Sequence, residues 1–569
     1  MKRVIPLILI LSMLFAGCHT TKPLDEERLT TPAPNATSAP AATPGQAEET
    51  YILLSKHGIT VDGKDAVNDS TQAVYIANDI IYYEAGHDFT YGEGTAEDEH
   101  SAEEAAAHIV VHITQPGTYR LSGYHPAAQV AVDLGEDAVS DPNAVVTLIL
   151  DILDITCTVA PAIIFYNVYE CGDADNPTMD VDTSAAGANI IIAGNPNADG
   201  TKINEVSGSH VARIYKSYTL SEDGSEVIDS KKLHKYDAAF YSKMSMNISA
   251  EEGKGKSILY INGDNEGLDT EMHLTINSGS IQITSGNDGI NTNEDGVSVT
   301  TINGGDLQIW VQGGTGEGDG IDSNGWLVIN GGSVKAYACA TSGDSGIDAD
   351  NGVYINGGSV VATGNMLDRI EGNQTYAVFS FAERQPPSSG LYRLKNEQGD
   401  TIFAAEPANA FTNMVMSSPE LVPGTYTLWL DDSQLGGIAM ENGMGGHPGF
   451  GGGFFDSVPR EDFEGEFEPP EDFDMQRVYP VPGGVAGDPP PDDGFNRKPP
   501  EHSDGFGGIE PPEHSDGFGG IEPPEYYEDD IMPPPGGFFG EVSPESLVGE
   551  FEIKEGANFF GAVDILPVG

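Results

Sequence analysis

The chain is poor in positive charge and in cysteine, and each shortage excludes a class of protein. Its 569 residues include 26 Lys and Arg against 89 Asp and Glu, a formal net charge of −63. A chain this acidic is repelled by phosphate backbones, which excludes nucleic acid as a partner. Only Cys157, Cys171 and Cys339 follow Cys18, too few for a disulfide framework. Cys157 and Cys171 either form one bridge or remain buried free thiols.

Long apolar runs are also missing beyond the N-terminus. After Cys18 no segment approaches the roughly 18 apolar residues that span a bilayer. Residues 1–18 combine a basic start, an apolar run and Gly17-Cys18, which predicts a signal peptide. Residues 15–18 resemble a bacterial lipobox with Phe15 in place of the usual Leu, so we expect lipidation of Cys18 and an extracellular protein anchored to the cell membrane only through that lipid. The alternative is ordinary cleavage that removes Cys18.

Changes in composition divide the rest of the chain. A Thr/Pro/Ala-rich tether precedes a long segment with sequence patterns typical of strands and turns. Long helical periodicity is absent from this segment. A later Gly/Pro/Phe-rich acidic stretch contains an exact tandem copy, 499–510 and 511–522, and is predicted to be disordered. The predicted divisions are a signal peptide at 1–18, a tether at 19–50, a folded domain at 51–435, a disordered region at 436–545, and C-terminal strands at 546–569 that could dock on the folded domain.

A repeat recurs four times within the predicted folded domain. Its marker is an aliphatic residue, Asn, a small residue and Gly, and the asparagines at 277, 303, 330 and 356 are spaced by 26, 27 and 26 residues. A unit of about two strands cannot bury its own apolar face, but stacked units can, with equivalent residues ~4.8 Å apart. The repeat therefore predicts an all-β fold, a right-handed parallel β-helix with its core at 105–380. The isoleucines at 276, 302, 329 and 355 would form an inner stack, and the asparagines would form a corner ladder.

A second marker places carboxylates and amides in register within the same units. Residues one and three positions after a buried aliphatic residue point outward by alternation. Stacked carboxylates repel one another or take up protons unless a cation lies between them, and their oxygens suit several Ca²⁺ ions. Solvated acidic turns are the alternative. The predicted ligands are Asp264, Asp269, Glu271, Asp288, Asn291, Asn293, Asp319, Asp322, Asn324, Asp348 and Asp350.

Two aromatic residues and a lack of basic ones bear on function. Trp310 and Tyr337 occupy the same outward position of consecutive units, where they either stack on sugar rings or are covered by an overlying loop.

A lyase needs a basic group to remove a proton. Between residues 262 and 368, Lys335 is the one Lys or Arg among 15 acidic residues, so no catalytic residue is predicted and binding is favoured over catalysis.

Three stretches resemble a known family. Residues 235–242, 263–271 and 351–358 are similar to the clostridial carbohydrate-binding β-helix lipoprotein family, and the likeness extends over 117–429. The resemblance implies a pectate-lyase-like fold, bound calcium, and binding of plant-type cell-wall polysaccharide, cellulose or pectic acid. The alternatives are a pectate-lyase-like enzyme and a structural cell-surface protein.

Overall fold

The structure is a computed structural model that describes residues 49–194, 202–221, 223–225, 227–253, 255–440 and 546–566. The predicted signal peptide, its lipidation site Cys18 and nearly all of the predicted tether lie outside the described residues, as does the acidic stretch from 441 to 545. Glu49 and Thr50, assigned to the tether from sequence, belong instead to the first strand, and residues 436–440 belong to a strand rather than to the acidic stretch.

Strands account for nearly all regular structure, which confirms the all-β class. One α-helix, α1 (Ala102–Ala106), and a 3-10 turn (Glu136–Ser140) are the helical elements of the described residues. Ser101 caps α1 by accepting a hydrogen bond from the Glu104 amide. Among the described residues, no helix is long and apolar enough to cross a membrane.

The strands fall into groups that are described below. In chain order they are β1 (Glu49–Ser55), β2 (Gly58–Val61), β3 (Lys64–Asp65), β4 (Val74–Ala77), β5 (Gly92–Glu93), β6 (Ile109–Ile113), β7 (Gly117–His125), β8 (Ala128–Asp133), β9 (Val146–Thr156), β10 (Ile163–Asn167), β11 (Ala188–Ile192), β12 (Lys202–Gly208), β13 (Val211–Leu220), β14 (Val227–Tyr236), β15 (Ala238–Ser242), β16 (Met246–Ala250), β17 (Ser257–Gly263), β18 (Glu266–Thr270), β19 (Leu274–Ile276), β20 (Ser280–Ser285), β21 (Ile290–Thr292), β22 (Val299–Ile302), β23 (Asp306–Val311), β24 (Ile321–Ser323), β25 (Trp326–Ile329), β26 (Ser333–Tyr337), β27 (Val353–Ile355), β28 (Ser359–Gly364), β29 (Ile370–Glu371), β30 (Tyr376–Gln385), β31 (Tyr392–Asn396), β32 (Thr401–Ala405), β33 (Phe411–Ser417), β34 (Gly424–Leu430), β35 (Ser433–Met440), β36 (Phe551–Ile553) and β37 (Ala557–Ile565).

Parallel pairing between successive turns of the chain builds three stacks of strands. Sheet 1 runs in the order β4, β6, β8, β10, β15, β18, β21, β24 and is parallel except for β4. Ladder A is β1, β7, β9, β12, β17, β20, β23, β26, β28. Ladder B is β9, β11, β16, β19, β22, β25, β27, β29.

Each repeat contributes three strands rather than the two expected from sequence. The unit β18–β19–β20 places one strand in sheet 1, one in ladder B and one in ladder A, and β21–β22–β23 and β24–β25–β26 follow the same scheme. The sheet 1 strands are only three to five residues long in these units. Gly, Asp and Asn residues are uncommon in strands. The sequence pattern therefore did not predict these short strands.

The apolar stack and the asparagine ladder lie where the repeat placed them. Isoleucines 276, 302, 329 and 355 pair in register on ladder B and are buried. Asn303 Nδ2 donates to Asn277 Oδ1 at 3.0 Å, and Asn330 Nδ2 donates to Asn303 Oδ1 at 3.0 Å. Two residues after Asn303, Gly305 has φ of 96°, and a Cβ there would lie 2.6 Å from the Gly279 carbonyl oxygen, so the corner requires glycine. The ladder amides are exposed, which lowers the cost of losing one.

Parallel pairing ends before the predicted domain does. From β30 onward the strands pair mainly antiparallel, and β33 joins this antiparallel region (376–440 and 551–565) to β28. Strand β37 pairs with β30 in parallel and with β35 antiparallel. The core here is aromatic, with Phe379, Tyr392 and Phe411 buried. The predicted single domain over 51–435 therefore contains two kinds of β-structure.

A long antiparallel hairpin leaves the stack between β12 and β15. Strands β13 and β14 pair with each other, and β5 adds to β13 through Arg213 and Glu93. Five of the 26 Lys and Arg residues of the chain lie on it, at 213, 216, 231, 232 and 235. We call residues 211–236 the basic hairpin.

The three described cysteines are all free thiols. Cys157 and Cys339 are buried, and Cys171 is half-buried. Of the two alternatives left open by the sequence, the structure therefore has no bridge between Cys157 and Cys171.

We expect Asn303→Ala to lower the free energy of unfolding by about 1 kcal/mol, because it removes two amide–amide hydrogen bonds at an exposed corner. Thermal unfolding followed by circular dichroism measures this. Asn373→Ala is the control, since Asn373 makes only a 3.5 Å contact with Asn356 Oδ1. Identical melting curves for wild type and Asn303→Ala would show that the ladder adds no stability.

Candidate functional site

Sheet 1 aligns the predicted ligands of three successive repeats. Asp269 on β18 pairs in register with Asn291 on β21, and Asn291 pairs with Asp322 on β24. Asp348 continues the column, because its amide donates to the Ile321 carbonyl of the rung before. The neighbouring aliphatic residues Leu268, Ile290 and Ile321 are fully buried, so the alternation inferred from sequence places these polar side chains on the other face of sheet 1.

This face is covered rather than open to solvent, contrary to the sequence expectation. Asp269 is fully buried and Asn291 and Glu266 are nearly so, with exposed fractions of 0%, 8% and 5%. A cavity of about 450 Å³ adjoins Glu266 and Asn291, between sheet 1, the basic hairpin and the segment before α1. It is lined by Glu93, Gly94, Asp98, His210, Ala212, Arg213, Lys235, Asp237, Asn265, Glu266, Asn287, Asn291, Asn293 and Asn324.

Three buried oxygens at this site lack a hydrogen-bond donor. Glu266 Oε1 accepts from Asn291 Nδ2 at 3.0 Å, and Asp269 Oδ1 accepts from Asn293 Nδ2 at 2.7 Å. The second oxygens Glu266 Oε2 and Asp269 Oδ2, together with Asn291 Oδ1, have no partner among the described residues. Buried polar atoms are nearly always satisfied. Two carboxylate oxygens and one amide oxygen without donors are of the kind that a hard cation such as Ca²⁺ binds. We call Glu266, Asp269 and Asn291 the lower acidic site.

Burial and mutual repulsion make the lower acidic site costly to ionise. Burial raises the pKa of Glu266 well above its usual value, and the charges of Asp237 and Asp288 raise it further. Burial likewise raises the pKa of Asp269, followed by the charges of Glu266 and Glu271. Without a cation, burial and repulsion therefore favour the protonated forms of these carboxyls.

Three further aspartates lie close together on the next two turns of the chain after Asn291. Asp319, Asp322 and Asp348 each offer one oxygen, and these oxygens lie within 4.8 Å of one another. Burial and then the charge of Asp288 raise the pKa of Asp322 to about 7. Burial and then the charge of Asp368 raise the pKa of Asp348 to about 8. We call Asp319, Asp322 and Asp348 the upper acidic site.

The other predicted ligands either form hydrogen bonds within the protein or are exposed. Asp288 lies beside the upper acidic site and accepts a hydrogen bond from the Asp319 amide at 2.6 Å. Glu271 accepts from Tyr241 at 2.5 Å. Asn324 donates to the Asn293 carbonyl at 3.0 Å, and Asp350 is exposed. The second predicted column therefore lies at the margin of the acidic sites.

Asp264 does not belong with the other predicted ligands. Ser209 donates to one of its carboxylate oxygens and the His210 amide donates to the other. Burial alone would lower the pKa of His210, but hydrogen bonds and charges from Asp264 and Asp98 outweigh it and raise this pKa to about 9. Because both of its oxygens already bind the base of the basic hairpin, we remove Asp264 from the ligand set.

Two cations that the sequence reading did not consider lie at the cavity. Lys235 Nζ is 3.8 Å from Asp237 Oδ2, and Arg213 Nη1 is 2.6 Å from Glu93 Oε2. Both line the cavity together with Glu266. Both residues precede the repeats at 262–368, in which Lys335 is the one Lys or Arg. The hairpin brings them to the cavity from this earlier part of the chain. The cluster of Lys and Arg at 213–235 in so acidic a chain is the sequence feature that could have indicated these two residues.

The aromatic pair and Lys335 lie elsewhere. Trp310 and Tyr337 do pair in register on ladder A, but Tyr337 is 3% exposed and both pack against the antiparallel region. The prediction of Tyr337 as a sugar platform is wrong because its ring is covered, the alternative that the sequence had left open. Lys335 is also on ladder A, a different stack from the acidic sites.

Comparison with known proteins bears on one part of the chain. Residues 199–380 match the model of a family described as carbohydrate-binding domain-containing protein. The fold was also compared with solved structures, among which a polysaccharide lyase-like protein from C. thermocellum, in its gadolinium derivative, matches with a TM-score of 0.29 and 16% identity over 57% of this chain and 90% of that chain. At that TM-score the structural likeness carries no argument. No curated protein matches. The stretch that holds the basic hairpin and both acidic sites is thus similar to a carbohydrate-binding domain.

We expect the chelated protein to lose stability between pH 5 and pH 8. The pKa values of Asp322 and Asp348 are raised to about 7 and about 8 in the folded state, against about 4 when unfolded. Their contribution is therefore complete below pH 4 and is lost as the pH rises through 7 and 8. Melting temperatures in EDTA across this range measure it.

Excess calcium should remove this decline, because the ion binds the ionised carboxylates and stabilises the folded state. Asp322→Asn combined with Asp348→Asn is the control and should make the EDTA profile less steep, with the remaining slope coming from Asp288 and the other buried carboxyls. Identical pH profiles in EDTA and calcium would show that no cation binds here.

Proposed function

We propose that this protein is an extracellular, calcium-dependent polysaccharide-binding protein whose ligand is an acidic glycan of the pectic type. The observation that carries the proposal is the lower acidic site: three buried oxygens without donors, beside a cavity that also presents Lys235 and Arg213. Calcium would complete the oxygen set of Glu266, Asp269 and Asn291, and it can share a coordination position with a uronate carboxylate.

The charges explain why calcium and the hairpin are both needed. A pectic chain is a polyanion, and the acidic sites repel it when ionised. Bound Ca²⁺ inverts the local charge, while Lys235 and Arg213 line the same cavity. A uronate bound in this cavity is attracted by the ion and by both side chains. Neutral cellulose, the other ligand that the sequence suggested, gains nothing from this arrangement.

Two further properties belong to the proposal. We infer that the parallel stacks wind as a right-handed β-helix, as almost all parallel crossovers do; an experimental structure with left-handed turns would contradict this. We also infer export and lipid anchoring through Cys18 from the signal sequence. Metabolic labelling with palmitate, absent in Cys18→Ala, tests the anchor.

Lyase activity is the second candidate, and the position of Lys235 and Arg213 favours it. β-Elimination from a uronate needs a cation at the carboxylate and a base at the adjacent carbon, and the cavity offers both kinds of group. Lys235 and Arg213 are, however, each paired with an acidic residue. That pairing suits charge recognition better than proton removal, so binding is our first choice.

We expect Glu266→Gln combined with Asp269→Asn to abolish calcium-dependent binding of polygalacturonate. The substitutions keep the shape of the site but remove its charge, so they do not leave an ion pair broken in the core. Isothermal calorimetry with calcium and then with polygalacturonate measures both steps. Glu294→Gln, at an exposed carboxylate on the next turn of the chain, is the control. Calcium-dependent binding that persists in the double variant would place the site elsewhere.

We expect Lys235→Ala combined with Arg213→Ala to weaken polygalacturonate binding about tenfold, or ~1.4 kcal/mol, with calcium affinity retained. Lys216→Ala combined with Lys231→Ala, at exposed positions of the same hairpin, is the matched control. The same samples are followed by ultraviolet absorbance for unsaturated uronates, which we expect to be absent. Their accumulation in wild type, and loss in the Lys235 and Arg213 variant, would make the protein a lyase.

A further inference from the structure

The antiparallel region has a second sheet face with the chemistry of a glycan platform. On β31 and β34 the inward side chains, among them Tyr392, Leu394, Tyr426 and Leu428, are buried. The alternate residues face the other way and are half-buried: Arg393 and Lys395 on β31, and Thr425, Thr427 and Trp429 on β34. This outer face lies beyond residue 380, outside the stretch that matches the carbohydrate-binding family.

Cross-strand register brings an aromatic ring and two cations together on that face. Trp429 lies directly opposite Arg393, and Thr427 lies opposite Lys395. The indole Nε1 of Trp429 donates to Thr427 Oγ1 at 2.9 Å, which fixes the ring along its own strand. Lys395 Nζ is 4.6 Å from the centre of the Trp429 ring. A tryptophan held in this way is a rigid surface on which a pyranose ring can stack.

The charge of the platform selects an anionic sugar. Arg393 donates from Nη2 to the Asp431 carbonyl at 2.8 Å, and its Nε is buried without a hydrogen-bond partner among the described residues, so a ligand would meet the terminal guanidinium nitrogens. Arg393 and Lys395 are two of only 26 Lys and Arg in a chain with 89 acidic residues. Lys395 over one face of the indole and Arg393 opposite Trp429 on the neighbouring strand can bind the carboxylate of a uronic acid whose ring stacks on the other face of the indole.

We propose that Trp429, Arg393 and Lys395 form a second polysaccharide-binding site, which takes uronate units of an acidic glycan without a metal ion. The site rests on the proposed function only for the class of glycan. It differs in mechanism from the acidic sites, because its positive charge comes from side chains and is unaffected by a chelator. Two sites on one chain that bind one polymer raise the overall affinity beyond that of either site alone.

The test uses the full-length protein in EDTA, with polygalacturonate as the probe and calorimetry or affinity electrophoresis as the readout. Residual binding is expected, and it should fall at least tenfold in Trp429→Ala and in Arg393→Ala combined with Lys395→Ala. It should be unchanged in Lys216→Ala combined with Lys231→Ala, which removes two exposed cations outside both sites. Because EDTA removes the contribution of the calcium site, failure of that site cannot be mistaken for failure of this one. Lys395→Gln, which keeps the indole in place, guards against misfolding of the alanine variants and should also weaken binding.

Three outcomes would overturn the proposal. One is the absence of polygalacturonate binding in EDTA. Another is equal binding by wild type and by all the Trp429, Arg393 and Lys395 variants. The third is a Trp429-dependent affinity for neutral cello-oligosaccharides that matches the affinity for polygalacturonate, because the two cations would then have no part in recognition.

Discussion

In-register stacking is the constraint on which the rest of this molecule depends. Each repeat adds one strand to sheet 1 and one to each ladder, so a residue type fixed at one position of the repeat recurs at ~4.8 Å intervals. For isoleucine this yields a continuous core, and for asparagine it yields a chain of amide hydrogen bonds at the corner. For aspartate the same geometry forces like charges together. The fold therefore creates a repulsion between neighbouring carboxylates at the acidic sites, which protonation or a bound cation must offset.

The cover over sheet 1 makes that repulsion larger. A solvated column of carboxylates is screened by water and salt, but the basic hairpin and the segment before α1 bury Glu266 and Asp269. Desolvation then becomes the first cause of the raised pKa at every carboxyl of both acidic sites. A protein that needed only solubility from its acidic residues would leave them exposed. Burying them is costly unless a cation offsets the charge.

The sequence predicted those features that depend on position within the repeat. Register alone places Asp269, Asn291 and Asp322 in one column, and it places Trp310 beside Tyr337. It could not predict what lies over either set, because the covering residues come from distant segments. Residues of the basic hairpin line the cavity beside Asn291, and the antiparallel region packs against Trp310 and Tyr337. Glu266 was missed for a related reason. It lies two residues before the buried Leu268, so alternation assigns it to the inner face and not to the face of the predicted ligands.

The few cations of this chain are informative because they are few. In a chain with a net charge of −63, a Lys or Arg that also lines a cavity or lies over an aromatic ring can mark a place where an anion binds. Arg120 and Lys202 are explained by their ion pairs with Glu49 and Asp151, which tie β1 to the stack. Lys235 and Arg213 face a cavity beside buried carboxylates, and Lys395 lies over an indole ring. Recognition of an acidic polymer by so acidic a protein is physically consistent only if binding is confined to such places, with the remaining surface repelling the polymer and so limiting where it can attach.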